Sequence, residues 1–327
     1  MTDTIFHRTV LWSATASLAC VSVLAQAAYP ERPVRVVLPY AAGSAGDTVF
    51  RMAQPLLEKR LGQPLIVDYR SGAGGNIGMM EAVRADPDGY TLVLGASNNF
   101  VINQFLYDKL GFDPLKDLAP VGKLADVPAF VYLSTGVPAN DYAGFAKYAR
   151  EHAGKLNYGS PGAGTPPHLS GFMLSDAMQA NMTHIPYRGS SLGVQALLAN
   201  DIQLYIGGYS VAAAYLPQER VKVLAVASPE RYPGLDKVPT AAEAGMPEVV
   251  MSNWWGLAAP KGTDPAIIDT WSRALDDVLA LPDVQAAFVK AGFVPGKGTP
   301  AAFEAELQEE VRRWRDIVRK SGVSINP

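Results

Sequence analysis

The chain predicts a two-lobed α/β clamshell, each lobe a mostly parallel sheet flanked by helices. Three observations carry that reading. Apolar, β-branched runs of strand length recur along the chain with helical patterns between them. Gly-rich stretches join the end of such a run to the next helix at Pro39–Asp47, Ser71–Gly78 and Ser160–His168. The length, 327 residues of which 48% are hydrophobic and 18% charged, is enough for two cores.

The first element is a targeting segment. Arg8 lies in a short n-region, Val10–Leu24 is small and apolar, and Ala25-Gln26-Ala27 matches a small-x-small cleavage pattern. Residues 1–27 are therefore predicted to be a signal peptide, with Ala28 or Tyr29 opening the mature chain. The run is too short and too rich in Ser, Thr and Ala to span a membrane, and no second run is long enough. The single cysteine, Cys20, falls inside this segment, so cleavage leaves no thiol for a disulfide or a metal. A lipoprotein reading at Ser17-Leu18-Ala19-Cys20 lacks the usual aliphatic residue three places before the cysteine.

Strands are predicted at Val34–Leu38, Leu65–Val67, Tyr90–Leu94, Phe130–Leu133, Asn157–Tyr158, Thr183–Ile185, Ile202–Ile206, Val221–Val226 and Trp254–Ala259. After the first glycine loop, Val49, Met52, Ala53, Leu56, Leu57 and Leu61 follow the spacing of one buried helical face. Asp47 or Thr48 is expected to cap this helix and Gly62 to end it, with Pro55 bending it. The last helix carries Phe303, Leu307, Val311, Trp314 and Val318 on its apolar face, with acids early and arginines late, as the helix dipole favours. One lobe is placed at 29–125 plus 222–327 and the other at 126–221, so that two crossings form a hinge.

A net charge of −3 argues against nucleic acid or an anionic membrane as a partner. Attraction for an anion must therefore be local. A glycine loop leading into a helix directs free backbone N–H groups at one spot, where the helix dipole adds partial positive charge. No G-x-S-x-G elbow and no metal-type His/Asp/Glu spacing accompanies these loops. The reading is a protein that holds a carboxylate, with no cofactor and no metal.

Several motifs in order resemble the extracytoplasmic solute receptors of the tripartite tricarboxylate transporter family, also called Bug-type receptors. They are Tyr29-Pro30-Glu31-Arg32-Pro33, PYAAGSAGD with Arg51 after it, DYRSGAGGNIG, DPDGYTLVLG, NYGSPGAGTPPHLSG, HIPYRG, VPTAAEAG and WWGLAAPKGTDP. The resemblance implies a type II periplasmic-binding-protein-like fold, a periplasmic location, a ligand between the lobes, and delivery to one large and one small membrane subunit. It implies a carboxylate ligand: a citrate-like acid, a dicarboxylate, an acidic amino acid or an aromatic acid. Two departures bear on the site. Ser44 and Ala45 stand at glycine-type positions of the first loop, and Ala196 precedes Leu197-Leu198 where the family commonly has an acid. The second departure argues against an amino-acid ligand. A monomer is expected.

The candidate ligand-binding residues follow. Tyr40, Gly43 and Ser44 come from the first loop, where Asp47 is read as a helix cap because an acid would repel a carboxylate. Gly72, Ala73, Gly74 and Asn76 come from the second; Asn76 is read either as an αL residue or as a ligand donor. Ser97 and Asn98 follow the third strand at its carboxyl end, where open α/β sheets bind ligands. In the other lobe Ser160, Gly164, Thr165 and His168 line the strand–helix loop, His168 being either a neutral donor or a packed or capping residue. Tyr187, Arg188 and Gly189 form the HIPYRG corner, where the arginine either pairs with a carboxylate or clamps the structure. Tyr209 and Ser210 are placed on the pocket floor, and the Trp254-Trp255 pair is either core or the wall for an aromatic acid.

Each helix N-terminus offers roughly 0.3–1 kcal/mol to an anion, and charge-assisted hydrogen bonds about 1.5–3 kcal/mol each. About four to six such contacts, less immobilisation, leave about −8 kcal/mol, a micromolar dissociation constant. Two other readings remain: a secreted serine hydrolase using Ser160 with His168 or His184, and an orphan receptor acting as a sensor.

Overall fold

Ten strands and nine α-helices are described by the computed structural model, which covers residues 29–246, 249 and 252–325. The expected signal peptide lies outside the described residues. In chain order the first part comprises β1 (Val34–Leu38), α1 (Ala45–Leu61), β2 (Leu65–Tyr69), α2 (Asn76–Val83), β3 (Thr91–Ala96) and α3 (Asn103–Leu106). The middle comprises β4 (Leu118–Ser134), α4 (Tyr142–Glu151), β5 (Asn157–Ser160), α5 (Pro166–Ala177), β6 (Thr183–Pro186), α6 (Ser190–Leu198), β7 (Leu204–Gly208) and β8 (Val221–Ala227). The last part comprises β9 (Ser252–Pro260), α7 (Pro265–Leu279), α8 (Pro282–Ala291), β10 (Val294–Pro295) and α9 (Pro300–Ser321).

The two-lobed architecture is built around β4. Its first part, Leu118–Pro128, pairs antiparallel with β9, which continues through β3 to the parallel group β3–β1–β2. Its last part, Ala129–Ser134, pairs antiparallel with β7 and β8, and β7 leads into the parallel group β7–β5–β6. One strand thus passes directly from one lobe into the other.

Parallel pairing therefore holds within each group, while β4, β8 and β9 run antiparallel to their neighbours. Hydrophobic patterning reports burial, not strand direction, and strands that carry the chain between lobes run against the groups they join. The strand expected at Phe130–Leu133 is the end of a 17-residue β4. Pro120, Gly122 and Pro128 concealed the rest, being residues that weaken or interrupt a ladder; bulges lie between Pro120 and Gly122 and between Lys123 and Ala125. The boundary expected at 221 also shifts. β8 pairs with β4 in the second lobe's sheet, and Leu224, Ala225, Ala227, Ala241, Met246 and Val249 pack in that lobe's core with Phe145 and Tyr158.

The first lobe's core sandwiches its sheet between α1 with α7 on one face and α2 with α9 on the other, burying Phe50, Leu57 and Trp271, and Phe100, Trp254 and Phe303. Ser44, not Asp47 or Thr48, caps α1: its hydroxyl accepts from the Asp47 N–H at 3.3 Å. Gly62 ends the helix in the left-handed conformation as expected, and α1 runs unbroken through Pro55. In α9, Phe303, Leu307, Trp314 and Val318 are buried as the spacing requires.

The connection between β10 and α9 is pinned to β4 by Gly296, whose N–H donates to Leu124 at 3.0 Å. A Cβ there would stand 1.9 Å from the Lys123 carbonyl oxygen. Gly296→Ala is expected to destabilise the protein by about 2 kcal/mol or more, through the backbone shift that overpacking forces. Urea unfolding checks this, and a midpoint within error of the parent would refute it.

Candidate functional site

The parallel strands of both lobes end at one cleft. Tyr40, Gly43 and Ser44 follow β1, Gly74 follows β2, and Asn98 follows β3; across from them Gly164 and Thr165 follow β5, Gly189 and Ser190 follow β6, and Ser210 follows β7. All of these residues line a single cavity of about 720 Å³, together with Asn253 and Trp255 of β9. A cavity of this size, outside the carboxyl ends of the strands, is where an open α/β sheet binds a ligand. No Lys, Arg, His, Asp or Glu is among the lining residues.

On the first lobe an amide network sets the wall. The Gly74 carbonyl accepts from Asn98 Nδ2 at 3.2 Å, Asn99 Nδ2 at 2.8 Å and Asn103 Nδ2 at 3.2 Å. Tyr40 Oη lies 3.1 Å from Asn98 Oδ1 and 3.0 Å from Asn99 Oδ1. Burial pushes the Tyr40 phenol up to about 12, so it remains a neutral donor. Asn76 sits behind this network, not at the wall. It is buried, right-handed helical at φ −63°, and accepts from Asn103 Nδ2 at 2.6 Å, so it is neither the αL residue nor a cleft donor. Ala73, Gly74 and Gly75 take the positive φ instead. Gly72 and Ala73 do not line the cavity; Ser97 is fully buried and donates to Asn253 Oδ1 at 3.0 Å.

Asp47 is turned away from the cleft by its partners. It accepts from the Gly43 N–H at 2.8 Å, Tyr69 Oη at 2.7 Å and Arg51 Nε at 3.2 Å. Burial alone would raise its pKa, but these three donors outweigh it and hold the carboxyl below its usual value. The first turn of α1 packs straight onto Trp255, since a Cβ at Gly46 would lie 2.3 Å from Trp255 Cζ3. Trp255 also meets Tyr40 edge-on at 5.2 Å.

On the second lobe most of the expected donors are engaged inside the loop. The Ser160 hydroxyl, fully buried, donates to the Gly162 carbonyl at 2.9 Å and lies 2.7 Å from His184 Nε2. Which of the two donates in the Ser160–His184 bond follows the imidazole tautomer. Among the described residues no carboxylate orients His184. Thr165 lines the cleft, but its hydroxyl donates to Gly162 at 2.7 Å. His168 is buried beneath the loop, accepting from the Gly164 N–H at 3.0 Å on Nδ1, and stacks on His184 with ring centres 3.7 Å apart. Burial lowers His168 to about 4; burial, then the neighbouring His168, lowers His184 to about 3. Both rings are neutral at pH 7.

Pro166 and Pro167 occupy the first turn of α5, so two of its expected N–H donors do not exist. The N-terminus of α6 is different: Gly189 precedes it at φ 102°, no side chain caps it, and Gly189 and Ser190 face the cavity. Tyr187 is half-buried against the second lobe's core, Arg188 is exposed, and neither lines the cleft. Tyr209 stacks on Tyr232 with ring centres 5.4 Å apart, leaving Ser210 as the residue of that loop at the cavity.

Sequence reasoning missed Asn103, Tyr107, Asn253, Phe293 and Ile325, all of which line the cleft. The tryptophan pair carried a usable signal, because successive strand residues face opposite sides. Trp255 faces the cleft while Trp254 packs on Phe100 and Phe303 and donates to Glu310 Oε2 at 3.0 Å.

The histidine pair predicts a pH response. Both folded pKa values lie below the free value of about 6.5, so the neutral rings stabilise the fold above that pH. As pH falls from about 6.5 towards about 4, the unfolded chain takes up protons that the folded rings refuse, and stability declines. Urea midpoints at pH 7 and pH 5 should show that loss, and His184→Asn should reduce it; an equal loss in parent and variant would refute it.

The profile described as "Tripartite tricarboxylate transporter family receptor" (TctC) matches residues 49–323. Protein BugT of Bordetella pertussis is 30% identical over 298 residues, covering 91% of each chain. Among solved structures, MatC of Rhodopseudomonas palustris with bound malate is 32% identical with a TM-score of 0.76, covering 89% of this chain and 100% of that one. R. palustris Rpa4515 with adipate is 28% identical with a TM-score of 0.81, covering 90% and 99%. The periplasmic binding protein BugD is 32% identical with a TM-score of 0.76, again covering 90% and 99%. By sequence, fold and the convergence of its glycine loops on one cleft, the chain belongs to the receptor family of the tripartite tricarboxylate transporters, a family of periplasmic solute-binding proteins.

Proposed function

We propose that this receptor captures a small organic carboxylate between its lobes and delivers it to the large and small membrane subunits of a tripartite tricarboxylate transporter. The observation that carries the reading is a cleft lined by helix starts, hydroxyls and amides with no charged side chain. Such a wall attracts a carboxylate through backbone dipoles and N–H groups, and contains no counter-charge to be stripped of water when the cleft is empty. The α6 N-terminus supplies the uncapped amides, α1 opposes it, and Ser44, Thr48, Ser190 and Ser210 add hydroxyls. The malate bound to MatC and the adipate with Rpa4515 support the ligand class. Against a hydrolase stand the full burial of Ser160, which does not line the cleft, and the absence among the described residues of a carboxylate orienting His184.

Binding to the folded state alone stabilises it, by about 2.7 kcal/mol at a ligand concentration 100 times Kd. A thermal-shift screen is expected to show one or more organic acids raising Tm while neutral sugars and cationic amines do not. Stabilisation by sugars or amines alone would overturn the carboxylate assignment. Ser190→Asp sets a carboxylate on the first turn of α6, where it favours the helix by up to about 1 kcal/mol yet repels the ligand. Tm is expected to hold or rise while affinity for the acid falls at least about tenfold, a difference of about 1.4 kcal/mol. Unchanged affinity by calorimetry would remove α6 from the site.

A further inference from the structure

Tyr205 places a hydroxyl where the second lobe's core gives it nothing to bond. It lies on β7, fully buried, among Phe130, Val194, Leu197 and Ile202. Its Oη is a buried polar atom without a hydrogen-bond partner. An unpaired buried hydroxyl costs stability, so a phenylalanine would serve the core better if packing were its whole role.

The surroundings are nonetheless fitted to this ring. A Cβ at Gly193 of α6 would stand 2.3 Å from Tyr205 Cε2 and 3.0 Å from Cζ, and one at Gly207 would stand 2.5 Å from Cε1. Glycine at both sites lets the hydroxyl end of the ring pass beneath the helix. Gly193 is one turn along α6 from Ser190, and residues three apart share a helix face. The phenol is therefore directed at the first turn of α6, whose start has no side-chain cap and whose Ser190 lines the cleft. Tyr205 itself does not line the cavity. Burial pushes its phenol up to about 12, and the Ser190 hydroxyl offsets part of that rise. In this structure the two hydroxyls are neighbours without a formed hydrogen bond.

We propose that Tyr205 is a positioning residue for the α6 end of the site: when a ligand binds, its phenol donates to Ser190 Oγ and so directs the Ser190 hydroxyl proton at the bound carboxylate. This rests on the receptor reading and adds to it a residue behind the cleft wall. A hydroxyl both accepts and donates, and one that accepts a bond donates a stronger one. The carboxylate supplies the final acceptor of the chain, and the phenol gains the partner that the core withholds. Tyr205 keeps its proton throughout, so the chain orients a proton and transfers none. Without the phenol, the Ser190 hydroxyl loses that bias and is free to rotate.

The test is calorimetric titration of the mature protein with malate, adipate, citrate and benzoate, followed by titration of Tyr205→Phe with the acid that binds. The variant keeps the ring and loses only Oη. It is expected to bind about fivefold more weakly, while Tm holds or rises because an unsatisfied group has left the core. In a Ser190→Ala background the same substitution is expected to change affinity by less than about twofold. In Ser190→Thr, which keeps a hydroxyl, the loss is expected to persist. Equal affinity of Tyr205→Phe and the parent, or the same loss with and without a hydroxyl at position 190, would overturn the proposal and leave the receptor reading intact. A parent protein that binds none of the four acids would overturn both.

Discussion

The ladder between β4 and β9 is the constraint on which the rest depends. From Leu118 opposite Pro260 to Pro128 opposite Ser252, these two strands are paired along the first lobe. Beyond Pro128 the same β4 becomes a central strand of the second lobe, between β7 and β8. Because a single strand belongs to both sheets, the position of one parallel group relative to the other follows from it. The carboxyl ends of β1, β2 and β3 thereby look across a gap at those of β5, β6 and β7. Each loop alone would be an ordinary glycine-rich connection facing water. Set opposite one another, they enclose one cavity.

The electrostatics of that cavity follow from where charge has been excluded. Asp47 lies at the first turn of α1, close enough to repel an anion, yet it is buried against Arg51, Tyr69 and the Gly43 N–H. Those contacts hold the loop as well as masking the charge. His168 and His184 do the same for the second loop while neutral: one receives the Gly164 N–H, the other is hydrogen-bonded to Ser160, and burial keeps protons off both. The ionisable groups of the site are thus scaffolding behind the wall, and what faces the gap is dipolar. Stability and recognition draw on the same atoms here, since a donor that fixes a loop is no longer available to a ligand.

Much of this was legible in the sequence, because its signals are local. Glycine loops between strand and helix patterns marked the lobes and the cleft, and Tyr40, Gly43, Ser44, Gly74, Asn98, Gly164, Thr165, Gly189 and Ser210 do line it. What was not legible depends on hydrogen bonds between residues close in sequence but folded back on one another. Ser160, Thr165 and His168 look like ligand donors by type, but their polar atoms are engaged with Gly162, Gly164 and His184. Arg188 has the chemistry to clasp a carboxylate, but its side chain is exposed outside the cavity. Phe293 and Ile325 reach the cleft from the far end of the chain, where no local pattern announces them. β4 was hidden by its own prolines and glycine, which its bulges accommodate.

In the proposed mode of recognition a carboxylate is held by fixed dipoles and not by an ionisable side chain. It is tested most directly by the pH dependence of binding. The acid found to stabilise the protein would be titrated calorimetrically between pH 6 and 9, in buffers of different ionisation enthalpy. A ligand fully ionised over that range should bind with a Kd constant within about a factor of two and with no net proton uptake or release, because no group facing the cleft titrates there. A tenfold change in affinity that follows one ionisation, with a matching proton exchanged on binding, would place a charged side chain in the recognition and contradict the account.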